Sequence, residues 1–367
     1  MKLAISAIRT KDIRINRHEL VTSLQNLGYK VVYVGQESDN NIHSDYEKYN
    51  VEFLEIPIER NNTNPFKEIK LIIKARKVFK KNKVEVLIAY GIRTFPALVI
   101  AAKLAGVKKI LCIVNGSGKL FQLSGIKGAI VKLLSYPMLW LSLLLTNNVL
   151  FQNIDDLNMI KSKGLLQKQN YGLINGSGVN LNEYGYSELE KRPIVSMISR
   201  LTASKGVNEY IKAASIVKKK IPNAVFNLIG PIEKNSNINE QLFEHAIKNK
   251  IVNLIDKVED VRPYIKACRI FVLPSYYPEG VPRSILEAMA MGRPIITTNL
   301  PGCKETVVNG RNGFLIPPRD TESLSKKIIY MLERDSLVNK MGIESRKICE
   351  DKFNVHKINQ IIISKIQ

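Results

Sequence analysis

The chain has 367 residues, a length that exceeds one ordinary hydrophobic core and suits two domains. Its composition, with 45% hydrophobic and 24% charged residues, excludes a disordered or fibrous protein. A formal net charge of +22 favours anionic partners, which are nucleic acid, phosphorylated small molecules or an acidic membrane face. The four cysteines have no CxxC spacing and no neighbouring histidine, so they predict reduced, packed thiols of a cytoplasmic protein and no metal site.

Short β-branched runs alternate with amphipathic stretches throughout the first half, which predicts an α/β domain with a parallel sheet. The N-terminal run is too short for the apolar part of a signal peptide and predicts a strand. The predicted strands are residues 3–8, 30–34, 51–56, 84–89, 109–114 and 149–152, and the predicted helices include residues 14–27 and 65–81.

A second series of strands follows, and two successive doubly wound sheets are the simplest fold for this pattern. The boundary is predicted in the flexible stretch NGSG at residues 175–178. The domains are then residues 1–175 and 176–354, with a last helix at 355–367 that packs back on the first domain. The predicted strands of the second domain are residues 194–198, 225–229, 251–255, 270–273 and 294–297, with 314–316 as a short edge strand.

Two cations stand at the junction between the first strand of the second domain and the next helix. Arg200 follows the strand, and Lys205-Gly206 come where the helix should begin. Ligands of open α/β sheets bind beyond the carboxyl ends of the strands, where helix amides also point. A phosphate or diphosphate suits this position, and solvated surface charges are the alternative interpretation.

Two carboxylates flank the start of a later helix, which proline places near Pro282. Glu279 then lies in the loop after strand 270–273, and Glu287 lies in the second turn of the helix. Eight positions on a helix correspond to about 80° of rotation and ~12 Å of rise, so each carboxylate must serve a different part of an extended ligand. A nucleoside diphosphate sugar fits, with Glu287 on the ribose; an exposed Glu287 paired with a lysine is equally compatible with the spacing.

Together these motifs closely resemble the retaining glycosyltransferases of family 4. They read Arg200-x4-Lys205-Gly206, and then Glu279-x7-Glu287 within PEGVPRSILEAMAMGRPIITTNLPG. The resemblance covers most of residues 193–318 and implies the GT-B fold, in which two doubly wound Rossmann-like domains face each other across a cleft. It also implies a role in bacterial capsule, O-antigen or exopolysaccharide synthesis, with the first domain on the acceptor side.

The resemblance assigns roles to individual residues. Arg200 and Lys205 neutralise the departing diphosphate, Glu279 contacts the donor sugar, and Glu287 holds the ribose. The other donor contacts come from the loop backbone and from a residue beside the base: Gly280, Val281, Pro282 and Val258. The chain has no Asp-x-Asp metal motif, so we expect fixed cations to replace a divalent ion and expect no cofactor besides the nucleotide sugar.

The first domain departs from the family pattern at two places. Its first strand–helix loop, residues 7–12, lacks the glycine pair of many relatives, and Arg17 follows near the helix start. Arg17 is therefore a candidate for an acceptor or donor phosphate, with a plain surface arginine as the alternative. Asn115 stands where many relatives have a histidine, so no general base is identified. In the family's front-face retaining route the leaving phosphate takes the acceptor proton.

The first domain is also strongly basic. Five lysines recur at three- or four-residue steps along the predicted helix 65–81, and residues 129–145 form an apolar segment that predicts either a buried or an interfacial helix. Each lysine near an anionic leaflet contributes roughly 1 kcal/mol, so we expect peripheral attachment to the inner face of the plasma membrane. The lysines of the stripe are Lys67, Lys70, Lys74, Lys77 and Lys81.

The leading hypothesis is a hexosyltransferase that moves a hexose or N-acetylhexosamine from a UDP-sugar to a polyprenyl-diphosphate-linked glycan. A GT-B-fold sugar-nucleotide epimerase is one alternative, but those enzymes lack the Arg200–Lys205 and Glu279–Glu287 pairing. A basic nucleic-acid-binding protein is the other alternative; no binding motif is present, and the aromatic residues, 7% of the chain, are not interleaved with the basic run. The donor sugar, the linkage and the oligomeric state are not determined by the sequence.

Overall fold

A computed structural model describes residues 1–6, 17–36, 47–58, 65–116, 121, 125–166, 170–277 and 279–367. Its internal contacts divide the chain into two units. The first unit is Met1–Ser177 together with Val355–Gln367, and the second is Gly178–Asn354. The boundary predicted after residue 175 lies two residues before this division.

Strands and helices alternate along both units. The strands are β1 Lys2–Ser6, β2 Lys30–Gly35, β3 Glu52–Glu55, β4 Val86–Tyr90, β5 Lys109–Val114, β6 Asn148–Phe151, β7 Asn170–Leu173, β8 Ile194–Ile198, β9 Val225–Ile229, β10 Asn253–Ile255, β11 Ile270–Leu273, β12 Ile295–Thr298 and β13 Gly313–Ile316. The helices are α1 His18–Asn26, α2 Pro65–Lys81, α3 Phe95–Ala105, α4 Gly125–Leu145, α5 Ile154–Ser162, α6 Val207–Lys220, α7 Glu240–Lys248, α8 Arg262–Ala267, α9 Arg283–Ala290, α10 Thr321–Leu332, α11 Asp335–Lys352 and α12 Val355–Ser364.

The first unit is a parallel seven-stranded sheet in the order β3-β2-β1-β4-β5-β6-β7. After their first residues, its central strands are buried because helices cover both faces, and their sequences are therefore continuous apolar runs. Side chains of α2 to α5 form the core on one face, and α1 and α12 form it on the other. The C-terminal helix α12 therefore belongs to the first unit.

The second unit is a parallel six-stranded sheet in the order β10-β9-β8-β11-β12-β13, with one continuous hydrophobic core. In both sheets the strand order reverses next to the first strand, between β1 and β4 and between β8 and β11. This reversal leaves a crevice at the carboxyl ends of the strands where doubly wound folds bind ligands. Two parallel-sheet α/β domains confirm the predicted fold class.

Some predicted elements were wrong in detail. Strand β7 was missed because its sequence, NYGL, is mostly exposed at the sheet edge and lacks an apolar run. Strand β10 begins at Asn253, two residues later than predicted, and residues 7 and 8 of the predicted first strand lie outside the described residues. Helix α1 begins at His18; residues 14–16 and the loop 7–12 lie outside the described residues.

The apolar segment predicted at residues 129–145 lies within helix α4. Leu143 is buried, but Leu133 is 74% and Trp140 38% exposed, so burial accounts for only one side of the helix. Within the described ranges, no helix combines the length and the apolar character that crossing a bilayer requires.

The four cysteines are buried and unpaired, as expected for packing residues. Burial raises the pKa of the Cys112 and Cys349 thiols to about 12 and that of Cys268 to about 11, so these groups stay protonated. Thiolate chemistry is therefore not available at these positions.

Candidate functional site

A pocket of about 230 Å³ opens beside the strand reversal of the second unit. It lies where the loops after β8, β9, β10 and β11 meet the first turn of α9, so five segments contribute to its lining. Charged residues come from four of these segments. The lining includes Ile198, Arg200, Lys205, Gly230, Lys257, Val258, Val261, Glu279, Pro282, Arg283 and Ser284.

Arg200 stands two residues beyond the buried strand β8. Its Nη1 atom lies 2.9 Å from Oε1 of Glu233, a residue of the segment that follows β9. The two side chains are 35% and 33% exposed, so solvent screens this ion pair only partly. The guanidinium therefore sits at the pocket wall with a fixed partner.

Lys205 ends a short 3₁₀ turn, Ala203–Lys205, that leads into α6. Its ammonium group forms an ion pair with the Glu279 carboxylate, and both side chains are almost buried. Ser275 donates a second hydrogen bond, of 2.8 Å, to the same carboxylate oxygen. The structure thus brings the predicted residues Arg200, Lys205 and Glu279 to one pocket, and two of them form a direct contact.

Helix α9 begins at the same pocket. Pro282 is its N-cap residue, with extended backbone angles, and Arg283 and Ser284 of the first turn line the pocket. A helix N-terminus carries a partial positive charge and amide groups that have no partner within the helix. Together with Arg200 and Lys205, it makes this pocket suited to a dianionic group such as a diphosphate.

Glu287 is buried and does not line the pocket among the described residues. Arg283, which does, donates a 2.8 Å hydrogen bond from Nε to Oε1 of Glu287. The Tyr184 hydroxyl also favours the charged form of this carboxylate. Burial raises the pKa of Glu287, while Arg283 and Tyr184 oppose the rise. The alternative of an exposed carboxylate paired with a lysine is therefore wrong.

The other predicted donor residues divide into two groups. Val258 lines the pocket beside Lys257, and Pro282 lines it at the start of α9. Val281 is part of the hydrophobic core, and Gly280 lies against Gly302, so in the described part of the chain neither is a lining residue. Their contribution is the path of the loop backbone.

Sequence reasoning missed four residues of this region. Arg283 had a signal, because it stands four positions before Glu287 and such pairs meet on a helix. Lys257, Glu233 and Tyr184 had none. The positions of Lys257 and Glu233 depend on which strands are neighbours in the sheet, and that of Tyr184 depends on how the segment before β8 packs against the core.

In the first unit, Arg17 and Asn115 do not share a site among the residues that the structure covers. Arg17 precedes α1, and its guanidinium carbon lies 3.5 Å from the centre of the Tyr90 ring. It lines a recess of about 10 Å³ with Gln152 and Asn359, a volume close to that of one water molecule. Asn115 is exposed after β5 and is not part of the recess.

Two family descriptions match the chain, one in each half. Residues 185–348 match "Glycosyl transferases group 1", and residues 14–153 match "Glycosyl transferase 4-like". Together the two matches span most of the chain. They agree with the resemblance drawn from the motifs and not with the epimerase or nucleic-acid alternatives.

Individual relatives and a solved structure are also similar to this chain. The chain is 28% identical to the N,N'-diacetylbacillosaminyl-diphospho-undecaprenol alpha-1,3-N-acetylgalactosaminyltransferase of Campylobacter jejuni, over 76% of each chain. It is 26% identical to the UDP-Gal:alpha-D-GlcNAc-diphosphoundecaprenol alpha-1,3-galactosyltransferase of Escherichia coli, over 86% of this chain and 83% of the relative. Its fold is similar to that of HepE from Anabaena, solved in complex with UDP and glucose, with a TM-score of 0.80, 17% identity and coverage of 99% and 98%.

Proposed function

This chain belongs to the group 1 and 4-like glycosyltransferases and is a hexosyltransferase, and on that premise we propose that it uses a UDP-sugar to extend a polyprenyl-diphosphate-linked glycan. The sugar is a hexose or an N-acetylhexosamine, transferred with retention of its anomeric configuration during cell-surface polysaccharide synthesis. The names of the two curated relatives support the acceptor class, because both act on diphospho-undecaprenol-linked sugars.

One observation carries the chemical part of this proposal: two cations and a helix N-terminus meet at one pocket of the second unit. As the bond between the sugar and the diphosphate breaks, negative charge develops on the leaving phosphate. Arg200 and Lys205 stabilise that charge from fixed positions, which is where preorganised electrostatics lower a barrier most. Glu279, paired with Lys205, contacts the sugar.

The transfer of the sugar needs no separate base to take the proton of the acceptor hydroxyl. The acceptor hydroxyl oxygen forms the new bond to the anomeric carbon on the face that the diphosphate leaves. Its proton passes to the departing phosphate oxygen, and the products are the extended glycan and UDP. Because protein cations supply the positive charge, we propose that turnover needs no divalent metal ion.

The test of this mechanism is the replacement of each cation. Arg200→Ala and Lys205→Ala should each lower turnover by about 10²–10³, the size typical of removing one preorganised electrostatic contact. Lys326→Ala removes an exposed cation of α10 in the same unit and should leave turnover unchanged. Near-wild-type turnover in both pocket variants would eliminate the mechanism.

Substrates and metal dependence are tested on the unmodified enzyme. A panel of nucleotide sugars is incubated with membrane-extracted lipid acceptors, and mass spectrometry detects the mass added to the lipid. We expect addition of one hexose or N-acetylhexosamine from a UDP-sugar, with equal rates in the presence and absence of a chelator. Loss of activity on chelation, restored by a divalent ion, would contradict metal independence.

We also propose that the first unit attaches peripherally to the anionic inner face of the plasma membrane. Helix α2 supports this, because Phe66, Ile69 and Ile73 are 73%, 53% and 50% exposed on the same helix as the lysine stripe. Lysines then contact anionic headgroups while the apolar side chains enter the boundary with the acyl chains. Such a position brings the enzyme to a lipid-linked acceptor.

The attachment is tested by sedimentation with liposomes. The protein should bind vesicles that contain anionic lipid at low salt and should not bind neutral ones. A Phe66→Ser, Ile69→Ser, Ile73→Ser variant keeps every lysine, so its binding should become fully salt-sensitive. Absence of wild-type binding to anionic vesicles at low salt would refute the attachment.

A further inference from the structure

The backbone pairing between β8 and β9 continues past the ends of both strands. The amide of Leu201 donates to the carbonyl of Pro231 at 2.8 Å, and the amide of Glu233 donates back to Leu201 at 3.3 Å. Further along, the amide of Ala203 donates to Ser236 at 2.7 Å. These bonds hold the backbone of Glu233 opposite Arg200, so the position of this segment does not depend on the ion pair.

In the described part of the chain, the two side chains meet through a contact between Oε1 of Glu233 and Nη1 of Arg200. A guanidinium has five N–H groups in a planar fork, so such a contact is compatible with phosphate binding by the same side chain. Arg200 lines the pocket, whereas Glu233 is not one of its lining residues.

We propose that Glu233 is a positioning residue, which holds Arg200 in the orientation that stabilises the leaving diphosphate. The inference rests on the proposed function, since it gives Arg200 the role described there. An arginine side chain has several free torsions and loses considerable entropy when it is held in one geometry. A carboxylate anchored by the backbone restricts that freedom before the donor binds, which is the condition for preorganised stabilisation.

A competing role would have the opposite consequences. A carboxylate that merely blocks Arg200 must be displaced by the diphosphate, so its removal would strengthen UDP binding and leave turnover unchanged or faster. A positioning carboxylate acts through Arg200, so its removal lowers turnover only while Arg200 is present. The two roles are separated by the sign of the effect and by its dependence on a second substitution.

The experiment uses the full-length enzyme with Glu233→Ala, Glu233→Gln and Arg200→Ala, and the Arg200→Ala, Glu233→Ala double variant. We expect Glu233→Ala to lower turnover by about tenfold, the size of restoring a side chain's rotamer freedom. Glu233→Gln keeps an acceptor oxygen and should recover turnover to within about threefold of the wild type. In the Arg200→Ala background, Glu233→Ala should change turnover by less than about twofold.

Three results overturn the inference. The first is unchanged turnover with tighter UDP binding in Glu233→Ala, which indicates a competitor. The second is an equal loss in the presence and absence of Arg200, and the third is a loss that follows the melting temperature alone; both indicate a structural role. Glu322→Ala, which breaks an exposed ion pair with Lys326 in the same unit, is the control and should be neutral.

The same variants separate this inference from the mechanism it rests on. If Arg200→Ala retains full turnover, Arg200 does not stabilise the leaving group and this inference is refuted; the electrostatic mechanism is refuted as well if Lys205→Ala is also unimpaired. If Arg200→Ala is impaired but Glu233→Ala is not, only the role of Glu233 is refuted.

Discussion

Gly302 offers a test of how accurately the loop after β11, which carries Glu279, must be positioned for catalysis. It follows β12 with φ of +83°, and a Cβ atom there would lie 1.5 Å from the carbonyl oxygen of Gly280 and 2.7 Å from that of Glu279. Real Cβ contacts essentially never fall under 3.0 Å, so Gly302→Ala must push the Gly280 carbonyl away by about 1.5 Å. The loop that carries Glu279 moves with it.

The magnitude follows from this displacement. A misplacement of ~1 Å at a reacting group can lower the rate about 10²-fold, so we expect Gly302→Ala to reduce kcat/KM for the sugar donor by roughly that factor. The left-handed backbone adds a cost of about 1–2 kcal/mol to the free energy of folding, because an alanine Cβ crowds the carbonyl in that conformation.

Gly310 supplies the matched control. Its φ is +80°, almost the same as that of Gly302, but a Cβ atom at Gly310 would have none of the described neighbours within 4 Å. Gly310→Ala should therefore bear the same backbone cost, seen as a fall in melting temperature of roughly 2–4 °C per kcal/mol, and keep its activity. Kinetics and thermal melting of both variants decide the matter. Equal kcat/KM in Gly302→Ala and Gly310→Ala would refute the reasoning.

Three further outcomes are expected. Burial raises the pKa of Glu287. Under the predicted role of this carboxylate, which is to hold the ribose, KM for the UDP-sugar should rise when the pH falls toward that pKa and the charge is lost. Glu287→Gln should flatten this profile in steady-state kinetics. Tyr184→Phe removes a hydroxyl that lowers this pKa, so the rise in KM should begin at a higher pH, and an unmoved profile would contradict the interaction. Arg293 is wholly buried and donates to the carbonyls of Lys266, Cys268 and Met291. Arg293→Met leaves these acceptors without their donor, at about 1–3 kcal/mol for each unsatisfied group, so it should lose about 3–5 kcal/mol and lower the melting temperature by roughly 10 °C. A change of only a degree or two in calorimetry would argue against this role.

The parallel sheets could be read from the sequence because their strands are buried on both faces. A run such as ILCIV in β5 is apolar at every position, so the buried strand can be recognised from its residue types alone. Strand β7 has no such apolar run, because it pairs with β6 through its backbone while its side chains are mostly exposed.

The candidate site also has a part that the sequence predicts and a part that only the structure shows. Arg200, Lys205, Glu279 and Glu287 could be named from the sequence, because their spacing along the chain carries the family pattern. Their roles remain predictions that the variants above test. The structure adds that the first three reach one pocket and that Glu287 is held behind it by Arg283.

The local sequence therefore determined the strands, the helix starts and the identity of the charged motifs, because propensity and capping depend on neighbouring residues and burial appears in the pattern of apolar residues. Only the tertiary structure decided which partner each charge meets. Glu233 reaches Arg200 because β8 and β9 are neighbours in the sheet. Tyr184 influences Glu287 because the segment before β8 packs against the same hydrophobic core as α9. Those contacts are made through space, and no local pattern of residues encodes them.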